Sequence, residues 1–170
     1  MIKQEEYKKA IIEVPNFPIE GVSFKDISPV LGNSVLWYWA IKQMRELVDE
    51  PDYWVGVDSR GFLFAGGLAN HEFGNDALIM CRKKGKLPPP VEEITYQLEY
   101  GTATLEMKSG SGTAVIVDDV LATGGTITAV NYLANNIGYD VIDNLVLIDL
   151  KYVPRVDDFN FKVKSLIQYE

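Results

Sequence analysis

The 170-residue chain has one cysteine and one histidine. The lone thiol, Cys81, excludes an intrachain disulfide, and its place at the end of an apolar run reads as packing rather than nucleophile. His71 reads as structural or exposed. No stretch approaches the roughly 18 apolar residues of a membrane-spanning helix, so no membrane partner is expected. Basic residues are in deficit: 16 Lys and Arg against 24 Asp and Glu give a net charge of −8. That balance argues against a broad nucleic-acid-binding face, though not against a small anionic ligand. The opening M-I-K-Q-E-E-Y-K-K-A is too charged for a signal peptide and too acidic for a transit peptide. With the single cysteine, it leads to the expectation of a reducing cytoplasm. No repeat, low-complexity tract or linker divides the chain. One domain over residues 1–170 is expected, long enough to bury roughly two-thirds of its unfolded surface.

Against this acidic average stands one basic cluster, C-R-K-K-G-K at 81–86, with Arg82, Lys83, Lys84 and Lys86. Its surroundings read as alternating elements. Residues 2–12 suit a short surface helix, and 15–29, with three prolines, reads as an ordered loop. Asn33 or Ser34 can cap a helix whose apolar residues recur at helical spacing up to Pro51. Y-W-V-G-V (53–57), A-L-I-M-C (77–81), T-A-V-I-V (113–117) and 141–150 read as strands. Residues 61–70 and about 126–136 read as helices. The segments flanking Gly101 alternate as a β-hairpin does. Strands interleaved with helices imply an α/β domain with a mostly parallel sheet, and such sheets bind ligands at the carboxyl ends of their strands. Those ends carry D-S-R-G (58–61), the basic cluster, and D-D-V-L-A-T-G-G-T (118–126).

The last of these raises an electrostatic puzzle, because two carboxylates adjoin a loop suited to an anion. Ala122, Thr123, Gly124, Gly125 and Thr126 sit where a strand hands over to a helix. Glycines there let backbone N–H groups turn around an anion, and the helix amino end adds partial positive charge. The loop has no lysine, so it is not a G-x-x-x-x-G-K-[ST] nucleotide loop. Ionised Asp118 and Asp119 can only accept hydrogen bonds, which matches the paired hydroxyls of a sugar. The two halves therefore describe one molecule, a ribose 5-phosphate. Either dipeptide alone, Asp-Asp or Gly-Gly, is an ordinary turn former; the ordered string carries the reading.

The string resembles the signature by which type I phosphoribosyltransferases hold phosphoribosyl pyrophosphate (PRPP). Together with N-F-P-I-E-G-V-S-F-K-D-I-S-P-V-L (16–31), V-D-S-R-G-F-L-F (57–64), R-K-K-G-K-L-P (82–88), Y-Q-L-E-Y-G (96–101) and the closing S-L-I-Q-Y-E, the chain is similar over nearly its whole length to the adenine phosphoribosyltransferases. The resemblance implies formation of AMP and pyrophosphate from adenine and PRPP, with Mg²⁺ bound mainly through PRPP. It also implies a homodimer, an amino-terminal hood over about 1–33, a core over about 34–170 and a flexible lid over about 83–101.

Residue by residue, the resemblance puts the ribose hydroxyls on Asp118 and Asp119 and the 5-phosphate in the cup Ala122–Thr126. Pyrophosphate falls to Asp58, Ser59, Arg60, Arg82, Lys83 and Lys86, with a non-proline cis peptide at Asp58–Ser59 and Arg82 reaching into the partner's site. Adenine falls to Ser23, Phe24 and Lys25, with Val120 and Leu121 as apolar walls. Lys25 stands where many members have arginine. Tyr96 and Tyr100 belong to the lid, and Glu99 manages the adenine proton, so Glu99, Arg60 and Arg82 are the catalytic candidates. Lys84 reads as a solvated charge. Two rivals remain open: a type I enzyme for another purine, and a non-catalytic PRPP-sensing regulator.

Overall fold

A computed structural model describes residues 2–69, 76–98 and 101–170. His71, Glu99 and Tyr100 lie outside the described residues. The chain starts with helix α1 (Gln4–Ala10), whose first turn holds Glu5 and Glu6 and whose last holds Lys8 and Lys9. That charge order complements the helix dipole. The helix is shorter than the 2–12 expected, because Ile12–Pro15 pairs as strand β1 with β2 (Ser23–Asp26) in an antiparallel ribbon. The stretch expected as loop thus contains a strand and a short helix, α2 (Ser28–Leu31). The turn residues of 15–22 connect the strands: Gly21 adopts φ +87°, and its N–H donates to Asn16 Oδ1 at 2.9 Å.

Helix α3 (Ser34–Arg45) begins where its cap was expected. Asn33 Oδ1 accepts the amides of Val35 (3.0 Å) and Leu36 (3.2 Å), two donors that no helical carbonyl can reach. Strand β3 (Tyr53–Val57) leads to helix α4 (Gly61–Ala69), then β4 (Ala77–Lys83). Next come the hairpin strands β5 (Glu92–Leu98) and β6 (Gly101–Met107) and the strand β7 (Gly112–Leu121). Helix α5 (Gly125–Asn136), β8 (Tyr139–Leu150) and β9 (Lys164–Tyr169) complete the chain. The main sheet has order β5-β6-β4-β3-β7-β8-β9, parallel from β4 to β9 and antiparallel at the hairpin. Two strands run past their expected ends. β4 takes in Arg82 and Lys83, and β7 takes in Asp118 to Leu121.

Both faces are covered. Trp54, Val115, Val117 and Leu145 pack with Phe64 and Leu68 of α4 and with Tyr7, Ile27 and Val30 from the amino-terminal segment. Val55, Ile116 and Val146 pack on the other face with Ile127 and Leu133 of α5. Two-sided burial is why β7 reads as an unbroken apolar run. Each such large side chain contributes roughly 1.5–3 kcal/mol by leaving water. Connections from β3 and β7 diverge to opposite halves of the sheet, which opens a crevice between their carboxyl ends. All three chemistry-bearing segments lie at the carboxyl ends of adjacent strands, β4, β3 and β7.

Candidate active site

At the end of β7 the chain turns through Gly124, whose φ of +85° starts α5. Residues 122–126 line a concavity of about 80 Å³, shared with Asp118, Val120, Leu121 and Ile127. A much wider depression, about 680 Å³, lies by Glu92, Glu93, Asn136 and Gly138; neither hollow has a lysine or arginine in its wall, but the small one opens on the first turn of α5, whose N–H groups have no helical partner. For an anion, donor chemistry outweighs size, and the small cup is the fitting one. Tyr96 reaches it from the hairpin, its hydroxyl 3.2 Å from Thr126 Oγ1. Burial raises the Tyr96 phenol above its usual range.

The two acids lie on neighbouring positions of β7, and Asp118 Oδ1 accepts the Asp119 amide at 2.9 Å. Burial, and then repulsion from Asp119, pushes the Asp118 carboxyl well above the usual carboxylate range. Asp119 is raised too, chiefly by burial, with the Arg60 charge opposing the rise. Arg60 Nε stands 2.8 Å from Asp119 Oδ2. The same guanidinium lies over the Phe24 ring, 4.7 Å from its centre. One side chain therefore links the hood aromatic to the acids across the β3–β7 crevice. Gly61 permits this approach: a Cβ there would lie 2.6 Å from the Val117 carbonyl and 3.1 Å from Asp118 Oδ1.

The Asp58–Ser59 peptide is cis, as the resemblance implied. The Asp58 amide donates to Cys81 O at 2.9 Å, tying this turn to β4. Asp58 Oδ2 also lies 3.5 Å from Arg82 Nε and accepts the Lys83 amide at 3.4 Å. Within this one chain, Arg82 therefore faces its own Asp58, with its guanidinium 5.6 Å from the Phe62 ring centre. The Lys83 and Lys86 side chains are exposed. Lys84 pairs with Glu93 at 2.7 Å.

In the hood, Phe24 meets Phe17 edge-on at 5.1 Å and turns toward Arg60. Ser23 and Lys25, on the opposite face of the ribbon, do not follow it. Ser23 Oγ donates to Glu13, and Lys25 Nζ pairs with Glu13 at 3.1 Å while lying over the Tyr169 ring. Strand alternation thus removes these two side chains from the side that Phe24 presents and leaves their backbone. The two expected walls both line the small concavity, though they pack into different cores of the sheet. Val120 packs on the hood side of the sheet, whereas Leu121 is buried among the residues of the α5 side.

Two residues escaped the reading of the sequence. Glu106 is 2% exposed, and its carboxylate accepts the amides of Gly85 (2.9 Å), Lys86 (2.7 Å) and Leu87, shaping the basic loop. These amide bonds, led by Gly85, hold its carboxyl below the usual range. Its place on the polar face of an alternating strand gave no hint of burial. Arg155 donates to the Ala122 carbonyl behind the cup from 33 positions away, with no local motif to mark it.

The glycine turn, the paired acids and the basic segment lie at adjacent strand ends, and comparison with known proteins gives the family. Residues 36–168 match the phosphoribosyl transferase domain. Adenine phosphoribosyltransferase of Bdellovibrio bacteriovorus is 42% identical over 165 residues, covering 95% of this chain and 98% of the relative. The chain belongs to the adenine phosphoribosyltransferases. That of Mycoplasma mobile is 40% identical, with 96% and 97% of the two chains covered. Among solved structures, the adenine phosphoribosyltransferase of Thermoanaerobacter pseudethanolicus superposes with a TM-score of 0.89 at 34% identity, covering 98% of this chain and all 100% of that one. The Saccharomyces cerevisiae member superposes with a TM-score of 0.85 at 32% identity, covering 96% and 98%. Members of this family are pentosyltransferases, and neither rival reading finds a match among these relatives.

Proposed function

We propose that the protein transfers the 5-phosphoribosyl group of PRPP to N9 of adenine, releasing pyrophosphate and forming AMP in purine salvage. The observation that carries this is Arg60, in contact at once with Phe24 and Asp119 beside the glycine cup. This contact supports a reading in which Phe24 is the base platform, the acids take the sugar and the glycine cup takes the phosphate. The yeast relative was crystallised with D-2,5-dideoxy-2,5-imino-altritol 1,6-bisphosphate and adenine together, which supports a common site for both substrates.

In this reading the 5-phosphate takes the amides of 122–126, and Asp118 and Asp119 accept the ribose hydroxyls. Adenine rests on Phe24 with Val120 as a wall, and main-chain groups of Ser23 and Lys25 read its edge. The C1–O bond to pyrophosphate breaks with its electron pair leaving on the diphosphate, and N9 bonds to C1 from the opposite face with inversion. The N9 proton passes to a base, for which Glu99 is the candidate. No covalent enzyme intermediate is needed: alignment and charge neutralisation by Arg60, Arg82, Lys83 and Lys86 supply the acceleration. Tyr96, already against Thr126, closes the hairpin lid over the cup and keeps water from the ionising C1.

Mg²⁺ fits this donor set as an ion carried by the diphosphate. Among the described residues no group of three or more His, Cys, Asp or Glu could hold a metal, and Mg²⁺ ordinarily binds through substrate phosphates with one or two carboxylates. When bound, it would neutralise charge on the leaving group.

A homodimer belongs to the same proposal. Leu78 and Met80 are exposed on the face of β4 that also presents Arg82, and Leu63 of α4 is exposed as well. A second copy covering this strip would bring Arg82 to the boundary of the neighbouring site. Residence in the cytoplasm is supported by a buried, unpaired thiol at Cys81. Among the described residues no helix is long and apolar enough to cross a membrane. The test is a base panel: with PRPP and Mg²⁺, adenine yields AMP, whereas faster nucleotide formation from hypoxanthine, guanine or xanthine would overturn the assignment.

A further inference from the structure

Behind the cup runs the segment that joins β8 to β9. Arg155 Nη1 donates to the carbonyls of Ala122, Leu150 (3.1 Å) and Val153 (3.2 Å). Its Nη2 pairs with Asp149, which is 1% exposed and is also held by Lys151 at 2.6 Å. One residue on, the Val156 amide donates to the Thr123 carbonyl at 2.9 Å. Phe159 stands against Gly124, so that a Cβ on this glycine would lie 2.5 Å from the ring. Arg155, Val156 and Phe159 are not among the residues that line the concavity. They back it from the other side.

The consequence follows from peptide geometry. In a trans peptide the carbonyl of one residue and the N–H of the next point in opposite directions. With the Ala122 carbonyl drawn back onto Arg155, the Thr123 N–H is turned away from Arg155, toward the cup. With the Thr123 carbonyl drawn back onto the Val156 amide, the Gly124 N–H is turned the same way. The cup has no lysine of its own, so amide orientation is what makes it anion-selective. A guanidinium bonded to the outer carbonyl also polarises that peptide and brings a positive charge one peptide away from the anion.

We propose that Arg155, held by Asp149, is a positioning residue for the 5-phosphate: it orients the cup amides from behind without touching the ligand. The proposal rests on the reading of residues 122–126 as the phosphate cup, and it distinguishes the affinity for a phosphorylated ligand from that for the bare base. The experiment measures dissociation constants for AMP and for adenine by titration calorimetry, and the Michaelis constant for PRPP, in wild type, R155M and R155K. Expected in R155M is a loss of roughly 10- to 100-fold in AMP affinity, taking as a guide the loss that follows when a group orienting the ligands of a metal is removed. The PRPP Michaelis constant should rise in parallel, with adenine affinity within about twofold of wild type. R155K keeps the charge and fewer donors, so its losses should be intermediate. If R155M does not fold, R155K is judged by the same AMP-to-adenine ratio. A ratio within about twofold of wild type in whichever variant folds overturns the proposal, as does an equal loss for both ligands. Wild type that forms no AMP from adenine and PRPP would instead overturn the reading on which it rests.

Discussion

The adjacent glycines of the cup should respond to the same substitution in opposite ways. Gly124 sits at φ +85°, a region that costs a residue with a Cβ roughly 1–2 kcal/mol. Its Cβ would also lie 2.5 Å from Phe159 Cδ2 and 2.8 Å from Cε2, and overpacking of that kind typically costs roughly 1–3 kcal/mol more. Gly124→Ala should therefore destabilise by about 2–5 kcal/mol, and a chain of this size loses roughly 2–4 °C in Tm per kcal/mol. Gly125 has no positive φ, and its nearest neighbour to a new Cβ is Gln97 O at 3.6 Å. Gly125→Ala should leave Tm unchanged or raise it slightly, since alanine is the better helix former. Scanning calorimetry of the two variants decides the matter, with PRPP titration as a second readout on Gly124→Ala, whose affinity should fall at least tenfold. A Gly124→Ala protein as stable as wild type, or a Gly125→Ala protein that is the less stable of the two, would refute the backbone argument.

Three further outcomes are expected. Asp119→Ala should weaken PRPP binding while the protein remains folded, checked by calorimetric titration and circular dichroism; unchanged affinity would remove the diol assignment. Asp118→Asn should raise Tm at pH 7–8 by roughly 2–4 °C, the effect of about 1 kcal/mol in a chain of this size. The wild-type carboxyl, raised by burial and by Asp119, favours folding when neutral, so its contribution is complete below about pH 4 and is lost as pH rises through its folded value. The advantage of the variant should accordingly shrink toward pH 4, and a pH-independent difference in melting temperature would contradict the assigned cause. Glu99→Gln should lower kcat by at least tenfold with little change in the Michaelis constants, and near-normal turnover would take Glu99 out of the mechanism.

Much of the site was legible because its signals are local. Acids followed by a glycine pair at a strand–helix junction announce themselves whatever surrounds them, and the apolar strand ahead of them reveals two-sided burial by having no polar alternation. Asn33, Val57, Asp58 and Gly124 fall where residue chemistry alone puts a cap, a strand end or a turn. The amino-terminal segment was less legible: Pro15, Pro18 and Gly21 suggested loop, yet Pro15 ends a strand, and Pro18 and Gly21 lie in the bend of a ribbon whose pairing is set by residues on either side.

What the sequence by itself determined is the order of elements and the set of chemical groups delivered to one edge of the sheet, since periodicity and turn chemistry are short-range properties. Tertiary structure alone decided which of those groups meet. It sent Phe24 toward Arg60 while turning Ser23 and Lys25 to Glu13, and it put Val120 and Leu121 on opposite faces. It buried Glu106 under a loop 20 positions away and set Arg155 behind a carbonyl 33 positions away. The reason is physical: side-chain alternation, and amides or carbonyls that must find partners once water is excluded, act between segments that meet only after the chain has folded.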